Sequence, residues 1–227
     1  MRVYKCYAAK WAWEAIINRR LKLATLSDIN DPFEFRAIGG KDKRVRSITE
    51  GVIGRFHSKI GFVSFCENRK NPVIWSHYAD KYQGVCLGFD VHDDFLNKIN
   101  YVSERSNFSE ADYWEAARDR QKFAELLLTT KFSHWNYEAE QRVLFKLKEE
   151  AIVHEKGLCF APFKDNFSLR EIILGPKYNP PTDDTTISEL HGAIAALKRC
   201  TVKTGRLAFN TFEVVLQNDK SLQKKLL

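Results

Sequence analysis

Short apolar runs of strand type recur along this chain, between segments whose apolar residues return every three or four positions. Val3 to Tyr7 reads as an opening strand, and Trp13, Ile16 and Ile17 give residues 10–20 a helical face. Leu21, Leu23 and Leu26 suggest a second strand. Ile48, Val52, Phe56 and Ile60 recur every four residues, the spacing of one helix face, which Gly51 and Gly54 weaken. Phe62 to Phe65 and Gly84 to Phe89 are apolar strand runs. Residues 91–97 read as a short helix and 99–102 as a strand. Ser109 is placed to cap a long helix running to about Thr130, with Glu110 and Asp112 in its first turn. Glu138 to Phe145 alternates, so Glu138, Glu140 and Arg142 are expected on one face of one strand. Strands follow at 158–163 and 169–174, a last helix at 186–198, and one or two closing strands at 201–216. The expectation is one α+β domain over residues 1–227. Its centre is a mixed, mainly antiparallel sheet, flanked by the helices at 10–20, 109–130 and 186–198.

Two stretches break this pattern with side chains suited to chemistry. Between the strands ending at Phe65 and starting at Gly84 stand Trp75, Ser76, His77 and Tyr78, where Gly, Ser and Lys would suffice for a turn. Aromatics and a His on a connection held by a rigid scaffold suit a site; equally, they can plug one end of the sheet. Asn30-Asp31-Pro32 is turn chemistry, since Asn and Asp bond nearby backbone and Pro fixes φ. That turn either locks Phe33 and Phe35 inward or walls a pocket.

The strand bearing Glu138, Glu140 and Arg142 is a third place to look. Two carboxylates two residues apart repel, and burial would raise one pKa unless a cation such as Arg142 neutralises them. Such a pair can hold a ribose, stabilise a developing cation or bind a divalent metal. The plain alternative is a solvated Arg–Glu ladder worth little.

Composition narrows the partners. The net charge is +7 and the pI near 9.1, which suits an anionic partner such as nucleic acid, a nucleotide or an acidic protein. Five cysteines at 6, 66, 86, 159 and 200 form no CxxC pair, so neither a disulfide framework nor a zinc cluster is expected. No apolar run approaches the roughly 20 residues a membrane helix needs. The N-terminus has no apolar core of a secretory signal, so the cytoplasm is expected.

Three ordered blocks carry a resemblance: NDPFE at 30–34, SFCENRKNPVIWSHYADKYQGVCLGF at 64–89, and Lys131 followed by W-x-Y-E-x-E-x-R at 135–142. With the Tyr4-Lys5 opening strand they resemble the bacterial domain of unknown function 2971 family, from Tyr4 to about Gly175. The block order is also similar, at fold level, to ADP-ribosyltransferases. That similarity implies NAD as substrate, with Tyr4 and Lys5 in the first motif, His77 and Tyr78 in the second, and Glu138 or Glu140 in the third. The chain departs from that plan in lacking the Ser-Thr-Ser central block. The similarity further implies a toxin or phage-defence effector acting on a nucleic acid or protein.

In that chemistry a Glu stabilises the positive charge that grows on ribose as nicotinamide leaves. Glu140 is the expected principal carboxylate, supported by Glu138 and held by Arg142. Trp75 or Tyr78 would stack on nicotinamide, and Lys5, His77 or Arg142 would meet the pyrophosphate. Asn30, Asp31, Trp75, His77, Tyr78, Glu138, Glu140 and Arg142 are expected to converge on one cleft. Two other classes stay open. One is a nucleotide- or nucleic-acid-binding module without catalysis. The other is a metal-dependent nuclease using Glu138, Glu140, Asp31 and His77. No Gly-rich dinucleotide fingerprint or P-loop occurs.

Overall fold

The computed structural model describes residues 1–26, 28–163, 167–197 and 199–226. Ser27 and Lys198, which open the Asn-Asp-Pro turn segment and close the last expected helix, lie outside the described residues. In chain order the strands and helices are β1 Arg2–Tyr7, α1 Ala9–Ile17, β2 Arg20–Lys22, β3 Ile38–Gly39, α2 Lys43–His57 and β4 Ile60–Cys66. Next come α3 Pro72–Tyr78, β5 Val85–Val91, β6 Asn97–Lys98, β7 Asn100–Val102, β8 Ser106–Asn107, α4 Glu110–Arg118 and α5 Arg120–Leu128. The rest are β9 Thr130–Phe132, β10 Glu140–Lys146, β11 Val153–Glu155, β12 Leu158–Pro162, β13 Phe167–Leu174, α6 Asp184–Ala195, β14 Thr201–Leu207 and β15 Val214–Leu216.

The architecture is α+β, with a mixed, mostly antiparallel sheet and flanking helices. Its strands hydrogen-bond in the order β15-β14-β13-β5-β1-β4-β10-β6. β13 and β14 run parallel, whereas β1 and β5 are antiparallel in the register Cys6 to Cys86 and Tyr4 to Gly88.

The chain forms two compact units, and it passes from one to the other at 22/23, 64/65, 94/95 and 159/160. The first unit holds Met1–Lys22, Phe65–Asp94 and Phe160–Leu227; the second holds Leu23–Ser64 and Phe95–Cys159. In the first, α1 packs on α6, and the rings of Phe65, Phe89 and Phe167 meet at 5.3–5.7 Å between centroids. In the second, Ile38, Val45, Tyr113, Phe123 and Leu127 form one apolar cluster and Leu26, Phe35, Phe62 and Leu128 another.

Several elements differ from the sequence expectation. The long helix at 109–130 is two helices: Asp119 caps α5, its side chain accepting from Lys122 N at 3.1 Å. Ser109 caps α4 through a capping box with Asp112. The expected helix at 91–97 is the end of β5, a short 3-10 turn at Asp93–Phe95 and the start of β6. Ile60 opens β4 rather than closing a helix. The Trp75 segment is a genuine helix, started by Asn71, whose side chain accepts from Val73 N, with Pro72 at the first helical position.

Candidate functional site

In the second unit the Asn-Asp-Pro turn folds as its chemistry dictates. Asp31 Oδ1 accepts from Phe33 N at 2.9 Å, and Glu34 N donates to Asp31 O at 3.1 Å. Phe35 then sits in the left-handed region at φ 64°, which turns the Phe35 ring into the core and sends Glu34 inward beside it. Asn30 stays exposed.

The second half of the site is built around another left-handed residue. Ser133–Glu138 is a 3-10 helix, Ala139 has φ 42°, and β10 starts only at Glu140. Glu138 is therefore not on the strand with Glu140, which corrects the shared-face expectation. Alternation held from Glu140 onward but not back through the aromatic segment that precedes it. Trp135 Nε1 donates to Asp31 Oδ2 at 2.8 Å, so the turn and the 3-10 helix are tied together.

Five buried ionisable groups meet here. Arg142 Nε donates to Glu140 Oε1 at 2.9 Å, its Nη2 to Glu34, and its Nη1 to Leu128 O at 2.7 Å. Lys131 Nζ donates to Glu138 Oε2 at 2.6 Å and to Glu140 Oε2 at 3.2 Å. Both Glu140 oxygens are thus occupied, and Tyr101 Oη accepts from Glu140 N at 2.9 Å. Phe62 and Phe35 cover the Arg142 guanidinium at 4.5 and 5.1 Å from their ring centres. Glu140 is 2% exposed and Arg142 1%.

The electrostatics follow from burial working against neighbours. Burial pushes the Glu140 carboxyl up, but Arg142 and Lys131 outweigh it and hold it below the ordinary range. For Glu34 burial wins over Arg142 and Lys131, and its pKa is raised. Burial disfavours the Lys131 charge, yet Glu140, Glu34 and Glu138 together raise its pKa. Tyr101 is pushed up to about 12, chiefly by burial. Among the described residues no group of three or more His, Cys, Asp or Glu is arranged to hold a metal ion. The carboxylates here face an ammonium and a guanidinium instead.

Beside this cluster lies a cleft of about 260 Å³, lined mainly by Phe33, Ala37, Val102 and Phe132, with Arg36, Arg105 and Lys131 as its cations and Glu104 as its acid. Phe33 and Phe132 are exposed. Arg36 pairs with Glu50. Arg105 donates only to carbonyls, Nε to Arg36 O at 2.6 Å and Nη2 to Ile38 O, and meets no carboxylate among the described residues. Burial and the neighbouring Arg36 hold the Arg105 pKa below its usual value.

The remaining predicted residues lie in the first unit. Trp75 is 0% exposed and its Nε1 donates to Arg69 O at 2.6 Å, so its ring belongs to the core and offers no face to nicotinamide. His77 and Tyr78 are exposed at the end of α3, rings 6.2 Å apart. Tyr4 and Lys5 are consecutive on β1 and so point to opposite faces. Tyr4 has its pKa raised by burial and by Glu171, and Lys5 Nζ lies 5.4 Å from the Tyr7 ring centre.

Thus Glu138, Glu140 and Arg142 are brought together, with Asp31 linked through Trp135. Glu34 and Lys131 complete the cluster and were not among the predicted site residues. The signal for them was in the motifs that contain them, the last residue of NDPFE and the Lys that precedes W-x-Y-E-x-E-x-R.

Residues 74–143 match the family model described as "Protein of unknown function (DUF2971)". The chain therefore resembles that family over a segment holding His77, Tyr78, Lys131, Glu138, Glu140 and Arg142. No curated protein and no solved structure matches the chain.

Proposed function

We propose that the second unit binds a nucleotide in the cleft beside the buried cluster, and that NAD is that nucleotide. The observation that carries the reading is Arg105. Arg105 is an exposed guanidinium beside Arg36 that bonds only to carbonyls, so although Glu104 also lines the cleft, no ion pair among the described residues meets the Arg105 charge in this largely apolar site. A phosphate meets that need, because the guanidinium fork matches its oxygens. Phe33 and Phe132 give exposed ring faces on which a base can stack. The +7 net charge favours the encounter.

Transfer of ADP-ribose is the second reading, and Lys131 favours it. Lys131 lines the cleft and holds the buried Glu138 at 2.6 Å, one residue behind the cleft wall. In that reaction the C–N bond from ribose to nicotinamide breaks, nicotinamide leaves with the electron pair, and an acceptor hydroxyl oxygen bonds to the ribose carbon and releases its proton to solvent. Glu138 would stabilise the positive charge on ribose. Glu140, with both oxygens taken, acts as a positioning residue that fixes Lys131.

Thermal-shift measurements with NAD, ADP-ribose, AMP and divalent metals test the binding claim, since a ligand of the folded state raises the melting temperature. NAD and ADP-ribose are expected to stabilise the wild-type protein and to lose that effect in Arg105→Gln and Phe33→Ala. Stabilisation by metal alone would favour the nuclease class. Nicotinamide release from labelled NAD then separates transfer from binding.

A further inference from the structure

We infer that the β14–β15 hairpin is a docking surface for single-stranded nucleic acid. The claim concerns the first unit only and is independent of the nucleotide reading above. β14 and β15 pair antiparallel from Gly205 with Leu216 to Leu207 with Val214, and Ala208 N donates to Glu213 O at 2.9 Å to close the turn. The root is also fixed, because Val214 N donates to Lys70 O at 2.8 Å. The tip, Phe209-Asn210-Thr211-Phe212, is thus held out on a defined scaffold. Phe209 is 88% exposed and Phe212 95%.

Single exposed apolar residues are ordinary on protein surfaces. Two phenylalanines within four residues, both almost wholly in water, are not explained by the packing of this unit. Leu207, at the mouth of the turn, is exposed as well. Such a patch marks an interaction site.

Charge identifies the partner. Residues 199–226 carry six Lys or Arg (Arg199, Lys203, Arg206, Lys220, Lys224, Lys225) against two acids, Glu213 and Asp219. That surplus of four is more than half of the chain's +7, although Lys203 within it pairs with Glu171. Arg206 lies over the Phe209 ring, its guanidinium carbon 4.4 Å from the ring centre. Aromatic faces beside a guanidinium, in a basic surround, are the combination that holds unpaired bases. The rings stack on bases of any sequence while the cations track the phosphates. A duplex keeps its bases stacked inside and offers only its phosphates to this tip.

Fluorescence anisotropy with a labelled 20-nucleotide oligo(dT) and the matching poly-uridine RNA tests the inference, using the full chain. The wild-type protein is expected to bind both, more weakly as salt rises. Phe209→Ser with Phe212→Ser is expected to weaken binding at least roughly tenfold, since each stacked base contributes about 1–3 kcal/mol. Its melting temperature should match wild type, as neither ring packs on the core. Arg206→Ala is expected to weaken binding and flatten the salt dependence. The inference is overturned if the wild type binds duplex as tightly as single strand. It is also overturned if the double variant binds like wild type. Two further results overturn it: association of the hairpin with vesicles of anionic lipid in place of nucleic acid, or a wild-type dimer that the double variant breaks into monomers.

Discussion

A guanidinium that is 1% exposed needs carboxylates, and Arg142 has two, Glu140 and Glu34. They are not equivalent. Glu140 bonds both buried cations, so its loss weakens both pairs although Arg142 keeps Glu34 and Lys131 keeps Glu138, whereas loss of Glu34 touches Arg142 alone. Glu140→Gln is therefore expected to destabilise the protein by roughly 1.5–3 kcal/mol, and Glu34→Gln by less. Chemical denaturation of the two variants beside wild type checks the order; equal losses would contradict it. The pH dependence has a definite sign. Glu140 titrates below its ordinary value of 4.5 in the folded state, so its contribution is present above that pH and lost as pH falls below it. Wild type should lose stability on acidification below about 4.5 more steeply than Glu140→Gln, which has no carboxyl there to titrate. Glu34, held above its ordinary value, works the other way, and its contribution fades as pH rises through its folded pKa.

At the scale of elements, the site depends on where regular structure stops. Ala139 at φ 42° ends the 3-10 helix and starts β10, and that single left-handed residue lets Glu138 and Glu140 reach the same ammonium from different elements. Period-two reading from sequence put both on one strand because no Gly or Asn announced the break. A different break, one extended residue at Asp119, separates α4 from α5. There the sequence did carry a signal, since Asp119 is a residue type that caps helices, but the apolar spacing running across it suggested one long helix. Asp119→Ala is expected to cost about 1 kcal/mol by removing the cap on Lys122 N, measurable as a lowered denaturation midpoint with unchanged slope. The strand at 99–102 was readable and is β7, but its partner β9 and the pair β3–β8 were not. Each of these three is two or three residues long and gains its identity only from a partner far along the chain, as with Ile38 and Ser106.

For the molecule as a whole, the strands at 60–66, 85–91 and 167–174 were readable as largely apolar buried runs, and those at 2–7 and 140–146 from shorter apolar or alternating stretches. The pairing of Glu34 with Arg142, 108 residues apart, was not, since nothing local in either segment specifies it. The proposed nucleotide site turns on whether Arg105 serves a phosphate. Calorimetric titration of NAD into the wild-type protein and into Arg105→Gln, each at low and at raised salt, answers that most directly. The account predicts saturable 1:1 binding to wild type that weakens with salt and falls at least roughly tenfold in the variant, the loss of one charge-assisted pair. Absence of heat from NAD binding to folded wild-type protein, or equal affinity in the variant, would contradict it.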